Sequence, residues 1–297
     1  MLDASWLWAL FTVIAAASQT VRNATQRELT TTLGTAGATH VRFLFGLPFA
    51  ALFLVAVVIA SGQALPRPPI SFWPWVLAGA LAQIAATALM LAAMNDRSFV
   101  VVYAYIKTEP VQAALFGLVF LGDTVTLPMA AAILIATVGV VVMALKPGAT
   151  LGLRATLLGL AAGSMFALSA VGYRGAILSL GLPNYLMAAT YTMVVGLIVQ
   201  VALLSFYLWL RDPGVIRAIL QHWRPSMLAG FLGALASQFW FLAFALATAA
   251  SVRTLALVEV LFAQAISTIV FKQVTTPRET LGIVLIVLGV LLLIWAY

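Results

Sequence analysis

Long apolar runs broken by short polar clusters set the first expectation. About twenty mostly apolar residues suffice for a helix to cross a bilayer. Ten such runs are legible, near 4–22, 38–61, 72–94, 98–120, 125–145, 153–175, 184–210, 225–247, 251–271 and 279–296. The breaks between them carry turn and loop residues, as in "SGQALPRPPIS", "NDRS", "LGDTVTLP", "KPGAT", "LSLGLPN", "RDPG" and "QVTTPRE". Connections this short make consecutive helices antiparallel neighbours and leave no room for a sizeable soluble domain. The pattern predicts an all-α polytopic membrane protein with ten transmembrane helices.

Composition agrees with this pattern. Of 297 residues, 64% are hydrophobic and 8% are charged. A soluble domain carries about 25% charged residues, so a chain this apolar cannot cover its surface for water. The net charge of +7 is spread between apolar runs without forming a block. This distribution predicts anionic headgroups, and no nucleic acid, as neighbours. The N-terminal "MLDASWLWALFTVIAAAS" lacks a basic leader and is expected to be a first membrane helix.

The chain also resembles itself. "FWPWVLAGAL" (72–81) is similar to "WRPSMLAGFL" (223–232), "IKTEPVQAAL" (106–115) to "LALVEVLFAQAI" (255–266), and "IATVGVVVMAL" (135–145) to "LIVLGVLLLIW" (285–295). These matches pair Glu109 with Glu259 and Gly139 with Gly289, about half the chain apart. Five helices per copy is an odd number, so the second copy is expected to be inverted. Residues 1–148 and 149–297 are the two expected repeats. Inverted repeats are typical of secondary transporters. The bases Arg22, Arg27, Arg97, Lys146, Arg154, Arg211, Arg217, Arg224, Lys272 and Arg278 lie near odd-numbered loops, against Arg67, Arg174 and Arg253 near the others. That asymmetry favours cytoplasmic odd-numbered loops and outside termini.

Helix 4 reads "TEPVQAALFGLVFLGDTVT" and helix 9 reads "LVEVLFAQAISTIVFKQVTT", each followed by a glycine-bearing helix. On these motifs the whole chain resembles the ten-helix, EamA-type branch of the drug/metabolite transporter superfamily. Glu109-Pro110 and Gly122-Asp123 fit the family pattern, whereas Glu259-Val260 and Lys272-Gln273 depart from it. The resemblance implies a secondary transporter with both termini in the cytoplasm, opposite to the count of bases. The richness in Trp, Tyr and Phe is similar to that of the aromatic and neutral amino-acid exporters of the branch. Export of such metabolites across the cytoplasmic (inner) membrane is therefore the expected function.

Helix 4 places Lys107, Glu109 and Pro110 near mid-membrane, where a charge costs about 2.5–3.5 kcal/mol on insertion scales. Lys107 and Glu109 are two apart and point to different faces, so each needs a partner on another helix or a wet cavity. Two readings stay open for Glu109 and Glu259: a proton or substrate site, or a buried ion-pair cluster locking helices 4 and 9 together. Arg253 is expected to anchor helix 9 at the interface. The expected substrate-binding set is Gln19, His40, Gln83, Thr87, Tyr103, Lys107, Ser169, Tyr191, Gln238 and Trp240, lining a cavity formed by helices 1, 3, 4, 6, 8 and 9. Other polar groups on these apolar helices include Arg42, Tyr173 and Ser237. Trp6, Trp8, Trp73, Trp75, Trp209, Trp223 and Trp295 are expected in interfacial belts, with Trp240 in mid-helix.

An enzyme is disfavoured: the chain has two histidines, His40 and His222, no cysteine, no HExxH and no clustered metal ligands. No glycine-rich phosphate loop suggests ATP-driven transport. No metal or cofactor is called for, and the expected partners are a small-molecule substrate such as an amino acid and membrane lipid, with a monomeric chain. The alternatives are a proton-coupled drug or metabolite antiporter and a non-transporting membrane scaffold or sensor.

Overall fold

A computed structural model of the chain describes residues 6–96, 102, 105–144, 153–269, 272 and 275–297. The described residues are helical, with no strand among them. The helices are α1 (Leu7–Leu44), α2 (Gly46–Ser61), α3 (Phe72–Asp96), α4 (Glu109–Phe116), α5 (Leu127–Ala144), α6 (Leu153–Ser179), α7 (Tyr185–Arg211), α8 (Pro213–Gln221), α9 (Trp223–Leu246), α10 (Ala249–Leu255), α11 (Val258–Ile269) and α12 (Pro277–Ala296). A π-helical turn, Gly117–Leu121, continues α4.

Among the described residues, six segments are long and apolar enough to cross a membrane: Ala36–Ser61, Phe72–Met90, Leu153–Ser179, Tyr185–Arg211, Ser226–Leu246 and Pro277–Ala296. Leu7–Arg22, Glu109–Leu121 and Leu127–Met143 are shorter apolar helices. Several expected spans are thus corrected. The first two expected helices are joined by a polar linker that is itself helical. Only Gly34 interrupts α1, at φ 66° and ψ 177°, a backbone conformation that favours glycine. The expected helix 9 is split into α10 and α11 by a turn at Ala256–Leu257. The expected helix 4 likewise breaks, at Lys107–Thr108. Pro110 therefore lies in the first turn of α4 and not in a helix interior; there the missing N–H costs nothing. The short amphipathic α8, unforeseen in "RDPG", packs Val215 and Ile219 onto a core of Leu33, Ala38, Val41, Leu208 and Ala229.

Large apolar side chains cover much of the exterior, Leu52, Ile59, Val119, Leu157, Phe206 and Leu288 among them. A lipid-facing surface has this composition. Trp6, Trp73, Trp209, Trp223 and Trp295 are exposed as a belt requires, but Trp8 is buried and packs inside the protein.

The chain divides into two compact units, Met1–Leu81 with Gly172–Leu246, and Ala82–Val171 with Ala247–Tyr297. Each unit takes segments from both expected repeats, and the division falls inside α3 and α6. Compactness groups spatial neighbours, whereas a repeat relates equivalent segments, so the two divisions need not coincide.

In the first unit α1 lies along α9, and α2 packs on α7 and α9. Tyr173 of α6 fills a slot that side chains at Gly79 and Gly196 would close, and it lies 4.6 Å from the Phe241 ring. In the second unit α5 and α12 are the main pair, and α10 packs against α4 and α5. Their antiparallel contact is reciprocal. A side chain at Gly139 would meet Gly282 and Ile286, and one at Gly289 would meet Ala132 and Ala136. Small residues at these points let the two backbones approach.

Candidate functional site

The second unit gathers four ionisable side chains at two helix breaks. Ahead of α4, Thr108 N donates to Tyr105 O at 3.2 Å, and Val111 N to Thr108 O at 3.2 Å. Ahead of α11, Leu257 N donates to Thr254 O at 3.1 Å, and Val260 N to Leu257 O at 3.0 Å. The same tight turns thus recur 149 residues apart, one residue off the register of the sequence match. Each break restarts a helix, and each new helix carries an acid in its first turn, Glu109 in α4 and Glu259 in α11. Unpaired backbone N–H groups and the helix dipole favour negative charge at that position.

Both acids also meet a base from the other break. Lys107 Nζ donates to Glu259 Oε1. Arg253 Nε lies 2.9 Å from Glu109 Oε1. Lys107, Glu109 and Glu259 are buried, at 7%, 7% and 4% exposure. The set is neutral overall, two bases against two acids. This answers how a chain so poor in charge tolerates a Lys-x-Glu-Pro sequence within an apolar helix. The partners come from the other end of the sequence, and the helices stop and restart where the charges sit. Arg253 is thereby corrected from interfacial anchor to ion-pair partner. Its position at the start of an apolar run resembles that of a snorkelling base, and only the fold brings it to Glu109.

The remaining predicted residues of this unit are placed less distinctively. Thr87 is buried and its hydroxyl donates to the Gln83 carbonyl at 3.0 Å, a bond within one helix. Ser169 is buried on α6. Tyr103 lies outside the described residues. A pocket of about 270 Å³ between α11 and α12 is lined by Leu261, Gln264, Ala265, Thr268, Thr275 and Ile283. None of the predicted site residues lines it.

In the first unit the polar side chains pair across helices. Trp240 Nε1 of α9 donates to Gln19 Oε1 of α1 at 3.2 Å. Gln238 Nε2, two residues before, donates to Thr190 Oγ1 of α7 at 2.7 Å, and Gln238 Oε1 has no partner among the described residues. His40 Nε2 lies 3.0 Å from Ser205 Oγ, bridging α1 and α7. Tyr191 packs its ring 6.0 Å from that of Phe72. Gln19, Trp240, Gln238 and His40 therefore stitch α1, α7 and α9 together by hydrogen bonds, each worth about 0.6 kcal/mol between membrane helices.

Sequence reasoning missed two members of this unit. Arg22 ends the first apolar run and was counted among the bases near a loop, yet α1 continues and Arg22 is buried at 7% exposure. Gln200 is buried at 1% exposure and is hydrogen-bonded to Tyr173. A lone amide in "LIVQVALL" was the available signal.

Residues 6–145 match the EamA-like transporter family. The matched segment coincides with the first expected repeat. No curated protein sequence matches the chain. Among solved structures, one crystal structure of a protein superposes with a TM-score of 0.71 at 15% sequence identity, covering 98% of this chain and 97% of that chain. At that identity the likeness concerns the fold alone.

Proposed function

We propose that this chain, whose residues 6–145 match the EamA-like transporter family, is a member of the drug/metabolite transporter superfamily that exports neutral or aromatic amino acids across the cytoplasmic membrane as a facilitator. The family implies a membrane transporter of small metabolites. The observation that carries the finer reading is the pair of matched breaks at Lys107–Thr108 and Ala256–Leu257. Interrupted helices with acids at their restarts, repeated about half a chain apart, are expected of two inverted copies, residues 1–148 and 149–297. Repeats of this kind suit alternating access. The reciprocal Gly139 and Gly289 contacts support the same relation, since adding 150 to Gly139 gives Gly289 and subtracting it from Ile286 gives Ala136.

Glu109 and Glu259 are read as structural, because each is matched to a base and to a helix N-terminus. Buried aromatic side chains such as Tyr173, Phe241 and Trp240 are taken to favour an apolar substrate body. The test is efflux from vesicles reconstituted with the purified chain, using phenylalanine, tryptophan, leucine, a sugar phosphate and a quaternary amine. Saturable flux of the amino acids, with mutual competition and none from the sugar phosphate, is expected. Flux confined to the sugar phosphate, or no flux at all, overturns the reading.

A further inference from the structure

Within the first unit, α8 joins α7 to α9, and the apolar segments Tyr185–Arg211 and Ser226–Leu246 on either side of it are each able to cross a membrane. Its place is therefore at a bilayer surface. It is not a loose connection. Val215 N donates to Asp212 O at 3.2 Å, His222 N to Ala218 O at 3.1 Å and Ser226 N to His222 O at 3.3 Å, so backbone hydrogen bonds run from the end of α7 through α8 into α9. The inner face, with Val215 and Ile219, is taken up by the protein core. A Cβ at Gly37 would lie 2.8 Å from Val215 Cγ1, so α8 sits directly on α1, just after its interruption at Gly34. The face turned outward exposes Arg217, Leu220 and Gln221.

Arg211, at the end of α7, and Arg224, in the first turn of α9, are exposed as well. Residues 211–224 thus hold three arginines against one acid, Asp212, a formal charge of 3 − 1 = +2. That acid is directed at its own turn, since a Cβ at Gly214 would lie 3.2 Å from Asp212 Oδ1. Among the described residues, no ion pair joins Arg211, Arg217 or Arg224 to a carboxylate. The unit's other acids are Asp3, outside the described residues, and Glu28, whose charge its sequence neighbour Arg27 offsets. The fold gives Arg224 no reason to be a base, because the helix dipole opposes positive charge in a first turn. Its guanidinium instead lies over the Trp223 ring, 5.4 Å from the centroid. Trp209, Leu210, Leu220 and Trp223 are exposed around these bases. Tryptophan settles at headgroup level, which puts the arginines at the depth of the lipid phosphates. A guanidinium fork matches a phosphate through two parallel N–H donors. An excess of positive charge favours headgroups that carry no cation of their own.

We propose that Arg211, Arg217 and Arg224 make the outer face of α8 a binding surface for anionic phospholipid of the phosphatidylglycerol kind, and that the bound lipid braces α8 against α1. The inner face of α8 holds α1 beside Gly37, so a headgroup on the outer face secures that contact from the membrane side. This does not rest on the transport reading above, and its test needs no flux.

The chain has no cysteine, so Gln221→Cys gives the full chain a single labelling site on the outer face of α8. A fluorophore there, in phosphatidylcholine vesicles doped with headgroup-spin-labelled lipid, reports which lipid stands beside α8. At equal surface density, spin-labelled phosphatidylglycerol is expected to quench more than spin-labelled phosphatidylcholine, and molar salt should reduce the difference. Arg211→Gln, Arg217→Gln and Arg224→Gln in the labelled chain should each lower the apparent affinity for phosphatidylglycerol about fivefold, the surface attraction of one base. Arg67→Gln, an exposed base between α2 and α3, should leave it unchanged. The unlabelled chain should melt higher in phosphatidylglycerol than in phosphatidylcholine vesicles, and the triple variant should lose that difference. The comparison of lipids in the parent decides the matter even where a variant fails to fold. Equal quenching by the two lipids, or a preference that persists in the folded triple variant, overturns the proposal. Displacement of the lipid by inorganic phosphate would make the ligand a soluble anion and overturn the lipid assignment. Anionic preference with no rise in melting would overturn the bracing of α8.

Discussion

Lys107, Glu109, Arg253 and Glu259 show how four costly residues become tolerable together. A buried ion pair contributes little net stability, because desolvation offsets most of the attraction. Breaking one is different, since the surviving partner is left buried and uncompensated, at about 3–5 kcal/mol. Glu259→Gln removes the carboxylate bonded to Lys107, and Glu109→Gln the one beside Arg253. Each is expected to lower the midpoint of thermal unfolding in detergent and to reduce the folded yield after size exclusion. Lys107→Met alone should be about as damaging as Glu259→Gln, while the double variant Lys107→Met/Glu259→Gln should recover most of the loss. Additive losses in the double variant would show that the two side chains do not depend on one another. At the same scale, Gln238→Leu removes the donor to Thr190 and is expected to cost no more than about 0.6 kcal/mol. Its melting curve should scarcely move.

Among the elements, the interrupted helices and the α5–α12 pair carry the architecture. α4 and α11 begin with tight turns whose N–H groups and dipoles meet acids, so the breaks are stabilised where they occur. The α5–α12 contact depends on Gly139 and Gly289, where an added Cβ would lie 2.8 Å and 2.6 Å from backbone atoms of the facing helix. A methyl group there forces the backbones apart. Gly139→Ala and Gly289→Ala are each expected to destabilise by about 1–3 kcal/mol, the usual cost of overpacking. If the two positions are equivalent, their losses should be similar in size. Unchanged melting in both variants would contradict the close approach. α12 itself is well started: Thr276 and Glu279 form a capping box, with Glu279 N donating to Thr276 Oγ1 at 3.3 Å and Thr276 N to Glu279 Oε2 at 2.7 Å.

For the whole molecule, the question is whether transport follows protons or only substrate. The acids within the apolar helices are matched to bases, so a facilitator is expected. In counterflow measurements on proteoliposomes, phenylalanine exchange should proceed without a pH gradient and keep its rate when one is imposed. Flux that follows the gradient, and loses that dependence in Glu109→Gln or Glu259→Gln, would make the chain a proton-coupled antiporter. Because both acids contribute to folding, the comparison requires variants matched for folded protein per vesicle.

Much of the outline was legible from one sequence, because lipid imposes a simple rule. A segment crosses only if it is apolar over about twenty residues and satisfies its own backbone. That rule marked most helices to within a few residues. The internal likeness of 106–115 and 255–266 also singled out Glu109 and Glu259 before any contact was known. Three things were settled only in three dimensions. Apolarity is blind to where a helix restarts, so the breaks at Lys107–Thr108 and Ala256–Leu257 were read as continuous spans. A polar linker counts as a loop unless its backbone is seen, so the continuation of α1 past Arg22 was missed. Partners far apart in sequence carry no local signal, as with Arg253 for Glu109, 144 residues away, or Trp240 for Gln19, 221 away. Local pattern reports what a residue costs in lipid, while the tertiary fold decides which distant group offsets that cost.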